Sequence, residues 1–497
     1  MNDDASTTPH HRPRTRRTAR TSRLLAGGAA ALLASGLLAY GNPFAANATA
    51  SQAPANRPPA CETPPETPPK TPPETPPELK PTTMTTIGQA YYCILDNYYS
   101  GSVLDDRSLL VPAFAALTQE LQRRGLDQSG ATMPALTGKK DDDWAAFSRV
   151  YEQITAKLPE DTAVRQPVAE ATMKAMLDSL NDNHVQWQRG FQFNMTGIQL
   201  SAVNGPGHVD PVATEPLFVT KVSPRSPAER AGVKPGDEIV AVNDVAPYVN
   251  GVLAEGVLKW IFSSPEGTPV KLTVHRPATD ATFTITVTAA AGSEPPPPPE
   301  VKSKLVASDI AYVTMPAFAP GFADKVLAAI AELRKNTELR GVILDLRGNG
   351  GGLPEEVSRL LGALAHDKVT SYWCDVKDHC TANRTDDSVE LLNLPLVALT
   401  DRSCASACDS FTSAVKDLDL GTLVGTRTAG AVSGPGLLYL LNDGSAIILP
   451  KYHEIAANKE VVNTIGVAPD HYAPLTAADL SAGRDPGVDK ALELLKN

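Results

Sequence analysis

Ser406 lies in the run Cys404-Ala405-Ser406-Ala407-Cys408-Asp409, between a strand-like apolar segment (396–400) and a helical one (408–418). A hydroxyl at such a junction sits near the positive end of a helix dipole with backbone donors close by, and small neighbours leave room for a peptide backbone. Taken alone, the same residue reads as an N-cap serine. A second candidate is the loop Gly348-Asn349-Gly350-Gly351-Gly352, which follows the buried run 341–346. No Gly-Lys-Ser/Thr follows it, so a P-loop is excluded. The other use of consecutive glycines is close backbone approach to a substrate oxygen, which makes this an oxyanion-binding loop.

Positioning two such loops requires strands that end beside each other. From Leu305 onward, strand-like runs (310–313, 341–346, 396–400, 445–449) alternate with helical ones (322–335, 354–365, 408–418). That alternation predicts an α/β core with a largely parallel sheet. Upstream, residues 84–187 carry apolar residues at three- and four-residue spacing (87–95, 109–124, 144–158, 168–180), which predicts a helical domain serving as a scaffold.

A chain of 497 residues exceeds one compact core. Its 43 prolines concentrate in a Thr-Pro-Pro-Glu/Lys tract from Ala53 to Pro81 and in Pro295 to Pro299, an extended spacer and a linker. Six arginines between Arg12 and Arg23, an uncharged Leu/Ala/Gly stretch from Leu24 to Tyr40 and Ala-x-Ala options at 46–50 have the layout of a cleavable export signal. The expected location is therefore extracellular, cell-wall or periplasmic, with the spacer bringing the chain into transient proximity to membrane or wall. The net charge of −11, more acidic still once the basic N-terminus is set aside, argues against nucleic acid as a partner.

Six cysteines in an exported chain imply disulfides. Cys374 and Cys380 flank a short polar loop and are expected to bridge. Cys61 and Cys93 are the remaining pair. Cys404 and Cys408 could bridge, but an i,i+4 pair on a helix meets disulfide geometry poorly. No paired Cys/His spacing points to zinc, so neither metal nor cofactor is expected.

Between these parts, Ser223-Pro224-Arg225-Ser226-Pro227-Ala228-Glu229-Arg230-Ala231-Gly232-Val233-Lys234-Pro235-Gly236-Asp237-Glu238-Ile239 resembles the PDZ family. Thr196-Gly197-Ile198-Gln199-Leu200 resembles its carboxylate-binding loop and adjacent strand. The resemblance implies that a peptide adds as a strand beside Ile198 to Leu200, with Gly197 admitting the carboxylate. The helix at 252–261 forms the other wall and offers Val257 or Trp260 to the peptide.

Leu344-Asp345-Leu346-Arg347-Gly348-Asn349-Gly350-Gly351-Gly352, the Ser406 motif, Val424-Gly425-Thr426-Arg427-Thr428-Ala429-Gly430 and Gly466-Val467-Ala468-Pro469-Asp470 occur in that order. Together they resemble the tail-specific (carboxyl-terminal processing) serine peptidases. The resemblance implies a crotonase/Clp-protease-like α/β core, Ser406 as nucleophile, and an oxyanion hole made by the N–H of Ala407 with that of Gly351 or Gly350. Ala431 stands where many members carry a catalytic lysine. The tricorn-like branch instead uses a histidine ahead of the PDZ module, and Asp182-Asn183-His184 resembles that segment, which makes His184 the base. That branch's glutamate falls at Asn463, with Glu460 the nearby acidic alternative. Lys416, Lys451 and His453 are weaker candidates.

The expected organisation is a signal peptide (1–50), Pro-rich spacer (51–83), helical domain (84–192), PDZ domain (193–291), linker (292–304) and peptidase core (305–497). The expected activity is hydrolysis of protein or peptide substrates captured by the PDZ domain. The rival expectation is a catalytically degenerate, peptide-binding adaptor of the cell envelope.

Overall fold

The computed structural model describes residues 58–63, 79–189, 196–201, 214, 216–262, 264–290, 299–434 and 436–496. The expected export signal, most of the spacer and nearly all of the second proline run lie outside these residues. Among the described residues no helix is long and apolar enough to cross a membrane.

Four helices, Met84–Asn97, Arg107–Arg123, Lys140–Thr155 and Thr162–Asp178, form the N-terminal layer. Local chemistry starts them. The Asp161 side chain accepts the Ala163 N–H as an N-cap, and Asp143 folds the preceding loop onto its helix by accepting the Thr137 and Gly138 N–H groups. Their apolar faces meet in a core that includes Tyr91, Leu109, Phe147 and Met173. Cys61–Cys93 ties the first half of the expected spacer to the first helix.

This layer is not closed by its own sequence. The antiparallel hairpin Gly436–Leu440/Ala446–Pro450 pairs with the short strand Gln186–Gln188 and inserts Tyr439, Leu441, Ile447 and Leu449 into the helical core. The run at 445–449 was expected in the α/β sheet. It sits here because alternate residues of the hairpin face the open apolar side of the helices.

The α/β core is a six-stranded sheet. Strands Ile310–Thr314, Gly341–Asp345, Leu396–Thr400, Thr422–Gly425 and His471–Tyr472 are parallel neighbours, and Lys302–Val306 closes one edge antiparallel. Helices Phe322–Arg334, Pro354–Gly362 and Ala407–Asp417 cover one face and Pro486–Leu494 the other. Cover on both faces is why the central strands read as unbroken apolar runs. The strands ending at Asp345 and Thr400 are adjacent, so their exit loops share the carboxyl edge of the sheet, the usual place for a site in an open α/β fold.

The PDZ region contains strands Ile198–Leu200, Val219–Val222, Glu238–Val242, Pro269–Arg276 and Ala281–Thr288 with helices Pro227–Ala231 and Glu255–Phe262. The expected helix at 252–261 begins later, because Val252–Leu253 pairs with Tyr248–Val249. A tight contact joins this region to the core: a Cβ on Gly236 would lie 2.5 Å from the Ser481 backbone nitrogen.

Candidate active site

Ser406 is the N-cap of helix Ala407–Asp417, with φ 57° and ψ −120°. A non-glycine residue there is strained, at a cost of order 1–3 kcal/mol, and such strain concentrates at functional positions. Several contacts hold it. The Ser406 N–H donates to Ala431 O (2.7 Å) and to Asp409 Oδ2 (3.1 Å). The neighbouring Ala405 N–H donates to Asn349 O of the glycine loop (3.0 Å). Gly351, at φ 99°, passes so close that a Cβ would stand 2.6 Å from Ser406 Cβ. Only glycine permits that approach.

The two expected oxyanion glycines now separate. The Gly351 N–H donates to Asn349 Oδ1 (2.9 Å), while its carbonyl accepts from Phe318. Its donor is committed to the loop, which leaves Gly350 as the candidate donor there. The N–H of Ala407 is at the first helical position, where no intrahelical acceptor exists.

His184 follows the fourth helix and precedes strand Gln186–Gln188, so the helical layer and the hairpin together fix its place. Its N–H donates to Asp182 Oδ1 (2.9 Å), and Asp182 also accepts from Tyr98 Oη (2.9 Å) and Ser433 Oγ (3.2 Å). The Asn183 amide settles the imidazole tautomer. Its Nδ2 donates to Gly430 O (2.9 Å), so its Oδ1 must face His184 Nδ1 (2.8 Å), and Nδ1 carries the proton. Nε2 is therefore the basic nitrogen, and it is buried with no hydrogen-bond partner among the described residues. Burial lowers the His184 pKa below the ordinary value, opposed by the Asp182 charge. The ring is thus neutral near neutral pH.

Ser406 and His184, 222 positions apart, are joined through one loop. Gly430 O takes the Asn183 amide and Ala431 O takes the Ser406 N–H. In the resting structure Nε2 does not hydrogen-bond Ser406 Oγ, and catalytic bonds often tighten only with substrate.

Asn463 is not the imidazole's partner. Its Oδ1 accepts the Val432 N–H (3.1 Å), which braces the same loop from outside, and Asn183 is the residue on Nδ1. Glu460 is exposed and lies near Asp417, at the helix end opposite Ser406, too far along the helix to act on His184. Lys416 donates to Ala468 O and pairs with Asp470, and His453 stacks on Tyr99. Lys451 is exposed.

Sequence reasoning missed Asp409. It is fully buried, and its carboxylate accepts from Thr428 Oγ1 and from the N–H groups of Gly430 (3.0 Å), Ala431 (2.9 Å) and Ser406. Burial pushes its pKa up to about 6 against those donors. The signal for it was present: serine followed three residues later by an acid is capping-box spacing.

The expected cystine Cys374–Cys380 forms, and so does Cys61–Cys93. Cys404–Cys408 also forms, because the helix begins at Ala407 and Cys404 precedes it, so the poor geometry of a helical pair does not apply. In the PDZ region, Gly197 has φ 80° and fits against Ser226, where a Cβ would lie 2.2 Å from Ser226 Cβ. The side chains of Ile198, Leu200 and Val257 are buried in the PDZ core, so any contact they make with a peptide is through backbone. Trp260 is half-buried at the edge of that core.

Residues 309–473 match peptidase family S41, and residues 218–276 match the PDZ domain. The chain carries a family S41 serine-type peptidase core and a PDZ domain. Several curated relatives are similar over about two thirds of the chain. Carboxy-terminal processing protease CtpB of Bacillus subtilis (strain 168) is 25% identical over 350 residues, 68% of this chain and 70% of that protein. A carboxyl-terminal-processing protease of Picosynechococcus sp. (strain ATCC 27264 / PCC 7002 / PR-6) is 27% identical over 377 residues, 71% and 87% of the two chains. Among solved structures, mature CPAF superposes with a TM-score of 0.51 at 14% identity, over 83% of this chain and 95% of that one, a likeness of fold.

Proposed function

We propose that this S41 peptidase is an exported endopeptidase that hydrolyses peptide bonds by a Ser406–His184 mechanism on segments captured by its PDZ domain. The observation that carries the reading is the loop at 430–431, whose consecutive carbonyls hold the imidazole's partner and the strained serine. With Nδ1–H donated to Asn183, the Nε2 lone pair takes the Ser406 Oγ proton as Oγ attacks the scissile carbonyl. The N–H groups of Ala407 and Gly350 receive the developing oxyanion, each such donor being worth about 10²–10³ in rate. The imidazolium then returns its proton to the leaving amine, and water repeats the sequence on the acyl-enzyme. Ala431 stands where the resemblance places a lysine in many members, so the side-chain base comes from the helical layer.

Ser406→Ala and His184→Ala test this. Ser406→Ala is expected to abolish both cleavage of denatured casein and labelling by a serine-directed phosphonate. His184→Ala is expected to slow both by about 10²–10⁴-fold, the usual contribution of a general base. Cleavage by Ser406→Ala at the wild-type rate refutes the assignment. A second reading, an adaptor that binds without cutting, draws on the unpartnered His184 Nε2. Intact-mass analysis of casein after incubation with the wild-type chain distinguishes the two, since an adaptor leaves it whole.

A further inference from the structure

The mechanism leaves the Cys404–Cys408 cystine unused, although it closes around Ser406. The bridge encloses only Ala405, Ser406 and Ala407, with Cα atoms 5.2 Å apart and both cysteines fully buried. Residues four apart on a continuous α-helix hold their Cβ atoms about 5–6 Å apart. A disulfide needs about 3.5–4.5 Å. The cystine and a helix running through residues 404–408 are therefore incompatible.

That incompatibility bears on the nucleophile. Asp409 reaches back to the Ser406 N–H, an interaction that an ordinary N-cap with relaxed dihedrals also makes. Nothing in that bond demands φ 57° and ψ −120°. The cross-link forbids the alternative in which the helix grows backward through Ser406 and turns its hydroxyl away. It also fixes the elbow to its surroundings, because the Cys404 carbonyl accepts the Ala429 N–H (2.9 Å) and the Cys404 N–H donates to Asp401 O (3.1 Å). On the far side Cys408 packs with Phe411 and Val415 in the core of the sheet.

We infer that the Cys404–Cys408 cystine is a positioning element for Ser406, holding the strained elbow in its reactive conformation, so that full reactivity of the serine depends on the oxidised pair. This deepens the Ser406 reading and rests on it. The other two bridges differ in kind. Cys374–Cys380 links the antiparallel strands Val369–Cys374 and Cys380–Arg384 beside their turn, and Cys61–Cys93 ties the spacer to the first helix.

The test is the time course of phosphonate labelling of the full chain, which yields a rate constant and an amplitude. Misfolding lowers the amplitude, whereas misplacement of Oγ lowers the rate constant. The Cys404→Ala/Cys408→Ala protein is expected to label about ten- to a hundredfold more slowly at retained amplitude, the scale of an ångström-size misplacement. The Cys374→Ala/Cys380→Ala control is expected to keep the wild-type rate constant. Should the alanine pair lose amplitude, Cys404→Val/Cys408→Ala, which restores apolar volume, is measured in its place. An unchanged rate constant in the cystine variant overturns the inference and leaves the Ser406 reading intact. Failure of the wild-type chain to label at all refutes the Ser406 reading itself.

Discussion

Asp409→Asn tests how the site is held. The native carboxylate takes Thr428 Oγ1–H and Gly430 N–H on one oxygen and Ala431 N–H and Ser406 N–H on the other. An asparagine keeps the first oxygen and places an NH₂ against the second pair of donors. Ser406 N–H retains Ala431 O, but Ala431 N–H loses its acceptor, at a cost of about 1–3 kcal/mol for a buried unsatisfied group. A second effect opposes this. Raising the carboxyl from 3.8 to about 6 means that the buried anion costs the fold about 3 kcal/mol. That cost is fully present above pH 6 and vanishes below 3.8, because a folded pKa above the unfolded one favours the folded state only as the proton is taken up. Asparagine removes it. At pH 8 the two terms nearly cancel, so the melting temperature is expected to move by only a few degrees.

Activity does not share that cancellation. Asp409 is the common anchor of the elbow and of the loop that positions His184, and releasing it is expected to lower kcat by about a hundredfold, with KM little changed. The pH profile adds a second readout. In the wild type the acidic limb contains Asp409, protonated as pH falls through about 6, and His184, whose pKa burial holds below 6.5. The variant has only the His184 limb, so the loss of activity with acid follows that one group. The assay is kcat and KM for a chromogenic peptide from pH 4.5 to 9, with thermal melts in the same buffers. Wild-type kcat with an unchanged acidic limb refutes the reasoning, as does a collapse in melting temperature at pH 8 large enough to account for lost activity.

Asn183→Ala removes the acceptor on Nδ1–H and frees the imidazole to turn and change tautomer. A loss in kcat of about tenfold or more is expected, smaller than the 10²–10⁴ of removing the base, and single-turnover cleavage measures it. Gly197→Ala drives a Cβ to within 2.2 Å of Ser226 Cβ at the start of the PDZ edge strand. The expected result is a raised KM for denatured casein with little change for a short chromogenic peptide, and equal effects on both substrates would separate the PDZ domain from capture.

What the sequence made legible was the part of the molecule built from buried parallel strands. Leu396–Thr400 is buried at every position, so it reads as an apolar run whatever its neighbours are. The two loops that follow such strands carry their chemistry in adjacent letters, glycines in one and Ser406 between alanines in the other. The run at 445–449, expected in the α/β sheet, lies instead in the hairpin at 436–450, for the opposite reason. Its residues announce a strand, but nothing in a period-two pattern says which strand is opposite, and its partner Gln186–Gln188 lies some 250 positions earlier. The sequence leaves the Cys404–Cys408 bridge open for a similar reason. The rule about helical i,i+4 pairs bears only on a helix that includes both cysteines, and the helix begins at Ala407, after Cys404. Asn183 is illegible in the family spacing, which points to Asn463 as the imidazole's partner, whereas the residue next to His184 makes the bond.

The substitution that looked most damaging in the sequence acquires a different meaning from these contacts. Ala431 lacks the amine of the family's lysine, yet its backbone is occupied on both sides: the N–H donates to Asp409 and the carbonyl accepts from Ser406. One residue earlier, Gly430 donates to the other oxygen of Asp409 and accepts from Asn183. With φ 69° and a Cβ that would lie 2.4 Å from the Gly466 nitrogen, Gly430 has no room for any side chain. The segment at which the resemblance places a lysine in many members here supplies four backbone groups that fix where the serine and the imidazole stand. Coupling through backbone tolerates the loss of a side chain at 431 but not displacement of the loop. That predicts that Asn463, which braces the loop through Val432, is silent in any motif comparison and consequential in a kcat measurement on Asn463→Ala.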